Sequence, residues 1–329
     1  MRNLLVASTG GHLTELHALR PRLVAADDTV VWATFDTPQA RSLLAGEDVV
    51  YIRPVAPRDY RNLALSVLPA RRLLDRTGAQ RIISTGAAVA LVFLPLGRLR
   101  GLPCHYIESA ARTQGPSATG RLLQLLRAGT LHTQQPGWAG PAWHYGGSVF
   151  DGLHAEPLAD APPVRRVFVT LGTAPYDFSR LVRRLAAALP DGVEVVWQLG
   201  ATKASGLPGR VHASLPHAEL VLEMAAADVV LSHAGVGSAL AALSVGRCPV
   251  LVSRRARQGE HVDDHQTQIA AALRDLGLAV AVEADDLRFE HLQRAAGTVV
   301  RPSEDLPPFR LDGGLLSTLA ADRSAPRDP

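Results

Sequence analysis

A glycine-rich turn with a histidine and two serines, SHAGVGS at residues 232–238, has the residue types of a phosphate-binding site. It closes a short apolar run and opens a helix rich in Ala and Leu. Gly235 and Gly237 allow a ligand to approach the backbone, and a helix N-terminus offers unpaired N–H groups and a positive dipole end. His233 can donate to a phosphate oxygen, and Ser238 can cap the helix. The alternative is an ordinary strand-to-helix turn, because turns of this kind are common in α/β proteins.

A second glycine-rich turn, Gly10-Gly11-His12, follows the apolar segment near the start of the chain. The positive end of a helix that begins here would lower the pKa of His12 and keep its imidazole neutral near pH 7. A neutral imidazole at this place could act as a general base. Alternatively, His12 caps its helix or bonds a backbone carbonyl. The glycine spacing does not fit GxGxxG, so the turn does not predict a dinucleotide site.

The stretch 105–121 combines a carboxylate, two guanidinium groups and several hydroxyls. Glu108 could orient His12 or an acceptor hydroxyl, and Arg112 or Arg121 could bind a pyrophosphate. Because Glu108 and Arg112 lie four residues apart, the alternative is a structural ion pair between them. The sequence alone leaves both interpretations open.

The segment 258–268, QGEHVDDHQTQ, is dense in acidic and amide side chains and runs into a helix. Carboxylates accept hydrogen bonds from sugar hydroxyls, while glutamine side chains both donate and accept. Helix capping is the alternative for Asp263 and Asp264, but it does not explain the density of polar residue types. The segment therefore favours a sugar site.

Composition restricts the classes of protein to which the chain can belong. With 329 residues, of which 47% are hydrophobic, the chain is long and apolar enough for two buried cores. The net charge of +3 is spread along the chain and aromatic residues make up only 5%, which argues against a nucleic-acid-binding groove. Phosphate-bearing small molecules or anionic lipid surfaces are the expected partners.

Several motifs are missing, and their absence narrows the chemistry. Cys104 and Cys248 lack CxxC or Cys/His spacing, so we expect buried thiols in a reducing compartment. No DxD pair, P-loop, G-x-S-x-G or H-E-x-x-H motif occurs where it would be needed, so we expect neither a metal nor a cofactor. The N-terminus lacks a signal peptide's apolar core, and the longest uncharged stretch, 82–97, falls short of the roughly 20 residues of a spanning helix. We expect a soluble or peripheral protein.

Short apolar runs alternate with longer helical patterns, which is the rhythm of a parallel sheet covered by helices. The rhythm breaks at 155–163, a stretch rich in Pro and Ala that is typical of an interdomain linker, and then restarts. We predict an α/β fold of two Rossmann-like parallel-sheet domains, 1–156 and 157–305, and a tail, 306–329, that is loosely ordered at its end. Ligands of open parallel sheets bind beyond the carboxyl ends of the strands, so two such domains facing each other would form a cleft.

These motifs resemble those of GT-B glycosyltransferases of the family 28 type. The first half, with VASTGGHLTEL, ISTGAA and YIESAARTQGPSATGRLL, is similar to the acceptor-binding subunit of the two-component dolichol-pathway N-acetylglucosaminyltransferase and its bacterial capsule-polysaccharide relatives. The second half, with VFVTLGTAPYDF, SHAGVGS and RRARQGEHVDDHQ, resembles their catalytic subunit. The chain thus resembles a fusion of both subunits. The peptidoglycan enzyme that adds N-acetylglucosamine to a lipid-linked precursor has the same order of halves.

The resemblance implies metal-independent, inverting transfer from a UDP-sugar to a polyprenyl-diphosphate-linked sugar in cell-surface or exopolysaccharide synthesis. It implies that the enzyme is cytoplasmic and peripheral on the inner face of the membrane. His12 and Glu108 are the implied catalytic residues. Relatives often carry an acidic residue that binds ribose where this chain has Ala241, and Glu260 could substitute for it. The implied donor contacts are Gly172, Thr173, His233, Gly235, Gly237, Ser238, Glu260, Asp264, His265 and Gln266, and the implied acceptor contacts are Gly10, Gly11, Thr85, Gly86, Arg112 and Arg121.

Two other functions fit the same residues. A UDP-sugar epimerase or hydrolase would turn over the donor without an acceptor, and a non-catalytic sugar-nucleotide-binding module is favoured by Ala241. The donated sugar stays open, although an arginine among Arg254, Arg255 and Arg257 could meet the carboxylate of an acidic sugar. Exposed Leu and Arg residues in 121–127 could dock on a membrane.

Overall fold

The computed structural model describes residues 1–56, 59–261, 264–303 and 305–311. These residues divide into two compact α/β units. The first unit contains 1–36, 46–149 and 307–311, and the second contains 37–45 and the described part of 150–306.

The first unit is built on a seven-stranded sheet with the strand order β3-β2-β1-β4-β5-β6-β7, and neighbouring strands run parallel. The strands are β1 (Arg2–Ala7), β2 (Thr29–Phe35), β3 (Val49–Ile52), β4 (Arg81–Gly86), β5 (Cys104–Ile107), β6 (Thr130–Thr133) and β7 (His144–Tyr145). The helices of this part of the sequence are α1 (Gly11–Leu23), α2 (Pro38–Leu43), α3 (Tyr60–Leu65), α4 (Val67–Thr77), α5 (Ala90–Leu99) and α6 (Ala118–Leu125), of which α2 belongs to the second unit.

The second unit is built on a six-stranded parallel sheet with the order β11-β10-β9-β12-β13-β14, and β15 and β8 form a separate antiparallel pair. Its strands are β8 (Leu153–Pro157), β9 (Arg166–Thr170), β10 (Glu194–Gln198), β11 (Arg210–His212), β12 (Val229–His233), β13 (Val250–Val252), β14 (Val280–Val282) and β15 (Thr298–Pro302). Its remaining helices are α7 (Ser179–Ala188), α8 (His217–Ala226), α9 (Val236–Ser244), α10 (His265–Asp275) and α11 (Phe289–Ala296).

Apolar strands that are buried on both faces form the centre of each sheet. In β1, Leu4, Leu5, Val6 and Ala7 are all fully buried, as expected for a central strand of a parallel sheet covered by helices. The central strand β9 is buried in the same way from Val167 to Thr170. The predicted α/β fold with two parallel-sheet units is therefore confirmed.

The predicted linker at 155–163 is wrong in its first part. Residues 155–157 belong to β8, and Ala155 lies opposite Val300 of β15. The predicted domain boundary after residue 156 falls inside this strand, whereas the units divide between Val149 and Phe150. Sequence reasoning missed β8 because its partner strand is distant in sequence, and because β8 runs into a stretch rich in Pro and Ala.

The chain returns to the first unit after β15. The backbone N–H of Phe309 donates to the carbonyl oxygen of Arg22 (2.9 Å), and Nε of Arg22 donates to the carbonyl oxygen of Pro307 (2.8 Å). The Phe309 side chain is buried. The predicted loose order at the end of the tail concerns 312–329, which lie outside the described residues.

The two cysteines are buried and free, as the sequence predicts. Burial raises the pKa of the Cys104 thiol to about 12 and that of Cys248 to about 11, so neither is a reactive thiolate at neutral pH. Within the described residues, none of the helices has both the length and the apolar character needed to cross a lipid bilayer.

We expect replacement of Gly209 by Ala to destabilise the second unit more than the same change at Gly206. Both glycines have positive φ, but a Cβ at Gly209 would lie 2.0 Å from the carbonyl oxygen of Val195, whereas a Cβ at Gly206 would meet no atom within 4 Å. Backbone strain alone costs about 1 kcal/mol, and the added overlap brings the loss to about 3 kcal/mol. Urea unfolding measures both; equal losses would contradict this prediction.

Candidate active site

The turns after β1 and β4 are joined by backbone hydrogen bonds. Gly10 has φ of +88°, which lets the chain turn directly from β1 into α1. The N–H of Ser8 donates to the carbonyl oxygen of Gly86 (2.7 Å), and Oγ of Ser8 accepts from the N–H of Ala87 (3.0 Å). The loops that carry the predicted residues Gly10, Gly11 and Gly86 are therefore neighbours.

His12 lies at this junction, in the first turn of α1. Oγ1 of Thr85 donates to the carbonyl oxygen of His12 (2.7 Å). A Cβ at Gly86 would lie 3.5 Å from Cε1 of His12 and 3.3 Å from the hydroxyl oxygen of Tyr106. The structure thus brings together three predicted residues, His12, Thr85 and Gly86, from the ends of adjacent strands.

Glu108 is fully buried at the end of β5 and holds the loop that follows. Its carboxylate accepts hydrogen bonds from the N–H and Oγ of Ser117 (2.8 and 2.9 Å), the N–H of Ser109 (3.2 Å) and the hydroxyl of Tyr106 (3.2 Å). Burial raises the pKa of Glu108. Within the described residues Glu108 forms no ion pair with Arg112. The alternative interpretation, a structural ion pair between these two residues, is therefore wrong. The carboxylate instead fixes Ser117, which caps α6.

Sequence reasoning missed a second buried carboxylate, Glu15, which lies one turn after His12 on α1. It accepts hydrogen bonds from Oγ of Ser109 (2.6 Å), the N–H of Ala110 (3.0 Å) and Nε2 of Gln134 (2.9 Å). Burial, reinforced by the charge of nearby Glu108, raises the pKa of Glu15 to about 7. The only signal in the sequence is an acidic residue inside the apolar pattern HLTELHAL.

The remaining predicted acceptor residues differ in exposure. Arg112 is half-buried in the loop after β5, and Arg121 is exposed on α6. Nε1 of Trp138 donates to the carbonyl oxygen of Arg112 (3.0 Å), which fixes the backbone at that residue. The structure therefore places Arg112 near the network around Glu108 and Glu15, and Arg121 on an outer helix.

In the second unit, β12 ends at His233 and α9 begins at Val236. Gly235 is the N-cap residue, and no side chain caps the helix. The prediction that Ser238 caps the helix is therefore wrong, since Ser238 lies inside the first turn. Within the described residues, the N–H groups of the first turn, including those of Gly237 and Ser238, have no protein acceptor, so they are available to an anion.

The His233 ring packs closely against two predicted glycines. A Cβ at Gly172 would lie 2.4 Å from Cε1 of the ring, and a Cβ at Gly235 would lie 2.3 Å from Nε2. Burial lowers the pKa of His233 to about 3, and the charge of Arg254 acts in the same direction. His233 is therefore neutral near pH 7, and its Nδ1 has no hydrogen-bond partner among the described residues. Thr173, the next residue after Gly172, is exposed.

Three predicted sugar contacts in 258–268 bond to the protein itself. Glu260 is buried; its two oxygens accept from Nε and Nη2 of Arg180 (both 3.0 Å), and one also accepts from the N–H of Arg255 (2.9 Å). Oδ1 of Asp264 accepts from the N–H of Ala256 (2.9 Å). Oε1 of Gln266 accepts from the N–H of Arg254 (3.0 Å). These contacts stabilise the loop.

Two parts of this segment differ from the rest. His265 is half-buried, and its ring packs edge-on against His261 with the centroids 4.8 Å apart. Val262 and Asp263 lie outside the described residues, so the alternative in which Asp263 caps α10 concerns a residue that the structure does not describe. Asp264 is the N-cap residue of α10, but its side chain does not cap that helix.

Arg254 is fully buried and joins two loops of the second unit. Its guanidinium donates to the carbonyl oxygens of Leu171 (2.9 Å), Tyr176 (2.9 Å) and Asp177 (3.2 Å), and it stacks 4.7 Å from the centre of the Phe178 ring. Burial lowers its pKa to about 10. Arg254 therefore holds the loop after β9, which carries Gly172 and Thr173.

Of the three arginines predicted as possible contacts of an acidic sugar, Arg254 and Arg255 are bonded to the protein itself, and for Arg257 the prediction stays a prediction. Arg254 is occupied by backbone carbonyls, and Arg255 forms a two-pronged ion pair with Glu283. Arg257 is the member of the three that is exposed.

Ala241 packs in the core of the second unit. It is buried in a cluster with Phe168, Met224 and Val230. A carboxylate at this position would lie among apolar side chains, where its burial would be costly.

Comparisons with known proteins identify the class of molecule. Residues 166–308 match the glycosyltransferase family 28 C-terminal domain. A 72-residue segment is 40% identical to the UDP-N-acetylglucosamine transferase subunit ALG13 of Yarrowia lipolytica, which is 22% of this chain and 35% of that protein. The chain thus spans about a third of the curated relative that it matches.

Similar solved structures extend over most of the chain. Acinetobacter baumannii MurG superposes with a TM-score of 0.57 at 20% identity, over 89% of each chain. The glycosyltransferase SnogD from Streptomyces nogalater gives 0.58 at 22% identity, over 90% of each. A UDP complex of S. aureus MnaA gives 0.55 at 10% identity, over 90% of this chain and 91% of that one. At these identities the likeness shows the fold.

The chain has the GT-B fold of these glycosyltransferases. Its residues 166–308 form a glycosyltransferase family 28 C-terminal domain.

We expect the stability of Glu15→Gln, measured relative to wild type, to be higher at pH 8 than at pH 4.5. Because the folded-state pKa of Glu15 is about 7 and its ordinary value is 4.5, the folded protein binds the extra proton between these values. The contribution of Glu15 is therefore full below pH 4.5 and is lost as the pH rises through 7, by about 3 kcal/mol.

Urea unfolding of both proteins across this pH range measures the effect. Glu290→Gln, at an exposed glutamate on α11, is the matched control, and a surface change of this kind stays within about 0.5 kcal/mol. A Glu15→Gln difference that is constant with pH would contradict the prediction.

Proposed function

We propose that this enzyme transfers a sugar from a UDP-sugar to a lipid-linked sugar acceptor, with inversion and without a metal ion. The observation that carries the proposal is the uncapped N-terminus of α9 beside a neutral His233, within a family 28 C-terminal domain. The matches to a UDP-N-acetylglucosamine transferase subunit and to a UDP-bound fold relative support a UDP-sugar as the donor.

The donor diphosphate would bind at the first turn of α9. The N–H groups of Gly237 and Ser238 and the positive end of the helix would stabilise the charge that develops on the departing UDP. Neutral His233 would donate one hydrogen bond to a phosphate oxygen, and the absence of side chains at Gly172 and Gly235 leaves room for the ring. This arrangement supplies positive potential without a metal.

In the proposed reaction, His12 takes the proton of the acceptor hydroxyl while that oxygen attacks the anomeric carbon of the donor and UDP leaves. Glu108 accepts hydrogen bonds from Ser117, Ser109 and Tyr106, so we assign it a positioning role in the loop after β5. Arg112 and Arg121 would bind the acceptor diphosphate.

Exposed apolar residues of the α6 region support binding to a membrane surface. Leu122, Leu125 and Leu126 are exposed on and after α6, and Leu125 is 79% exposed. Arg121 and Arg127 flank them and are exposed as well. An apolar surface with flanking cations fits the headgroup region of an anionic membrane, so we propose a peripheral location on the cytoplasmic face.

Product analysis tests the reaction. Incubation with a UDP-sugar and a polyprenyl-diphosphate-linked sugar should give a glycosylated lipid and UDP in equal amounts, and neither should form without the acceptor. Release of free sugar or an epimerised donor in the absence of acceptor would favour the epimerase or hydrolase interpretation. Binding of UDP without any turnover would favour a binding module.

We expect His12→Ala to lower kcat about 100-fold or more, since general bases contribute this much, while UDP affinity stays unchanged. His17→Ala is the matched control, because His17 lies on the same helix and packs against Trp32. Steady-state kinetics and calorimetric UDP titration give both values. Wild-type kcat in His12→Ala would remove His12 from the role of base.

We expect Gly235→Ala to weaken UDP binding about tenfold or more. The added Cβ would lie 2.3 Å from Nε2 of His233, so the imidazole must move away from the proposed phosphate position. Gly137→Ala is the control, because a Cβ there would meet no atom within 4 Å. Calorimetry measures both, and unchanged UDP affinity in folded Gly235→Ala would rule out this placement of the diphosphate.

A further inference from the structure

Glu15 is a buried carboxylate whose contacts join three segments of the first unit. From its place on α1 it accepts hydrogen bonds from Ser109 and Ala110 in the loop after β5, and from Gln134 just after β6. All three donors are neutral, so no counter-charge repays the burial of this acid. An apolar side chain of similar size would avoid this desolvation cost, which points to a role for the hydrogen bonds themselves.

Gln134 extends this hold on the loop. Its Nε2 donates both to Glu15 (2.9 Å) and to the carbonyl oxygen of Glu108 (3.0 Å), while its Oε1 accepts from the N–H of Val149 (2.7 Å). Because the amide oxygen is taken by Val149, the NH₂ group must face Glu15. The side chain is therefore fixed in one orientation, with Glu15 as an acceptor that it requires.

The opposite side of the same loop is held by its carbonyl groups. Nε2 of Gln135 donates to the carbonyl oxygen of Ala110 (3.2 Å), and Nε1 of Trp138 donates to that of Arg112 (3.0 Å). The N–H of Ala110 is bonded to Glu15. The backbone from 109 to 112 is thus fixed from both sides, and the Glu15 contact is the one that comes from α1.

We propose that Glu15 is a positioning residue that holds the loop segment 109–112, which carries Arg112, at a fixed place relative to His12. His12 and Glu15 lie one turn apart on the same helix, so the hydrogen bonds of Glu15 relate the loop directly to the helix that carries His12. The inference rests on the proposed function. There, Arg112 binds the acceptor diphosphate while His12 meets the acceptor hydroxyl, and one rigid frame holds both ends of that substrate.

The hydrogen-bond pattern predicts which substitutions preserve the frame. In Glu15→Gln the amide oxygen can still accept from Ala110 and Gln134, and the new NH₂ group can donate to Oγ of Ser109, whose hydroxyl can rotate. Glu15→Ala instead removes the acceptor of Ser109 and Ala110 and one of the two acceptors of Gln134. The glutamine variant should therefore rescue what the alanine variant loses.

Kinetics test the positioning role. Glu15→Ala should raise the acceptor KM about tenfold or more and leave the donor KM and UDP affinity unchanged, because the donor residues lie in the other unit. Glu15→Gln should stay close to wild type. In the double variant with Arg112→Ala, the two losses should combine to less than their product, since both act on one interaction. Equal changes in donor and acceptor KM, or fully multiplicative losses, would overturn the proposal.

Hydrogen exchange provides a readout that needs no substrate. The Ala110 amide should lose protection in Glu15→Ala and keep it in Glu15→Gln. If the wild-type enzyme uses no lipid-linked acceptor, the proposed function fails, while exchange still shows whether Glu15 holds the loop. Intact Ala110 protection in folded Glu15→Ala would overturn the inference. If that variant does not fold, Ser109→Ala removes one donor and should raise the acceptor KM in the same direction; an unchanged value would equally overturn it.

Discussion

The carboxyl ends of all strands of a parallel sheet lie on the same side of that sheet, and this constraint organises both units. Each strand must pass into a helix through a loop whose backbone groups need partners, and the nearest partners are the loops of adjacent strands. In the first unit this joins Ser8 after β1 to Gly86 at the end of β4. In the second unit it places the His233 ring between Gly172 and Gly235. The candidate functional residues are neighbours because the sheet brings the ends of its strands together.

Buried ionisable side chains hold these loops in both units. In the first unit, Glu15 and Glu108 accept hydrogen bonds from backbone N–H groups and hydroxyls. In the second unit, Arg254 donates to the carbonyl oxygens of Leu171 and Tyr176. A charged group can satisfy several backbone dipoles at once, whereas an apolar side chain would leave them unpaired in the interior. The loops are thus fixed before any ligand binds.

The alternation of apolar runs and helical patterns predicted both sheets, since burial of a strand on two faces requires an uninterrupted apolar run such as Leu4 to Ala7. The same local reasoning placed His12, Thr85 and His233 at strand ends. It failed for β8, whose partner β15 is distant in the sequence. It also failed to separate residues that face a ligand from residues that hold the loop, because Glu260 and Gln266 have the same hydrogen-bonding groups in either role.

The sequence by itself determined the fold class, the turns at the strand ends and the resemblance to family 28, because these depend on local patterns of residue type and spacing. Only the tertiary structure decided what each polar side chain contacts. It bound Glu260 to Arg180, buried Ala241 in the core and revealed Glu15 beneath the loop that carries Arg112. These outcomes depend on segments far apart in the chain, and the energy of a buried polar group is set by the partners that folding brings to it.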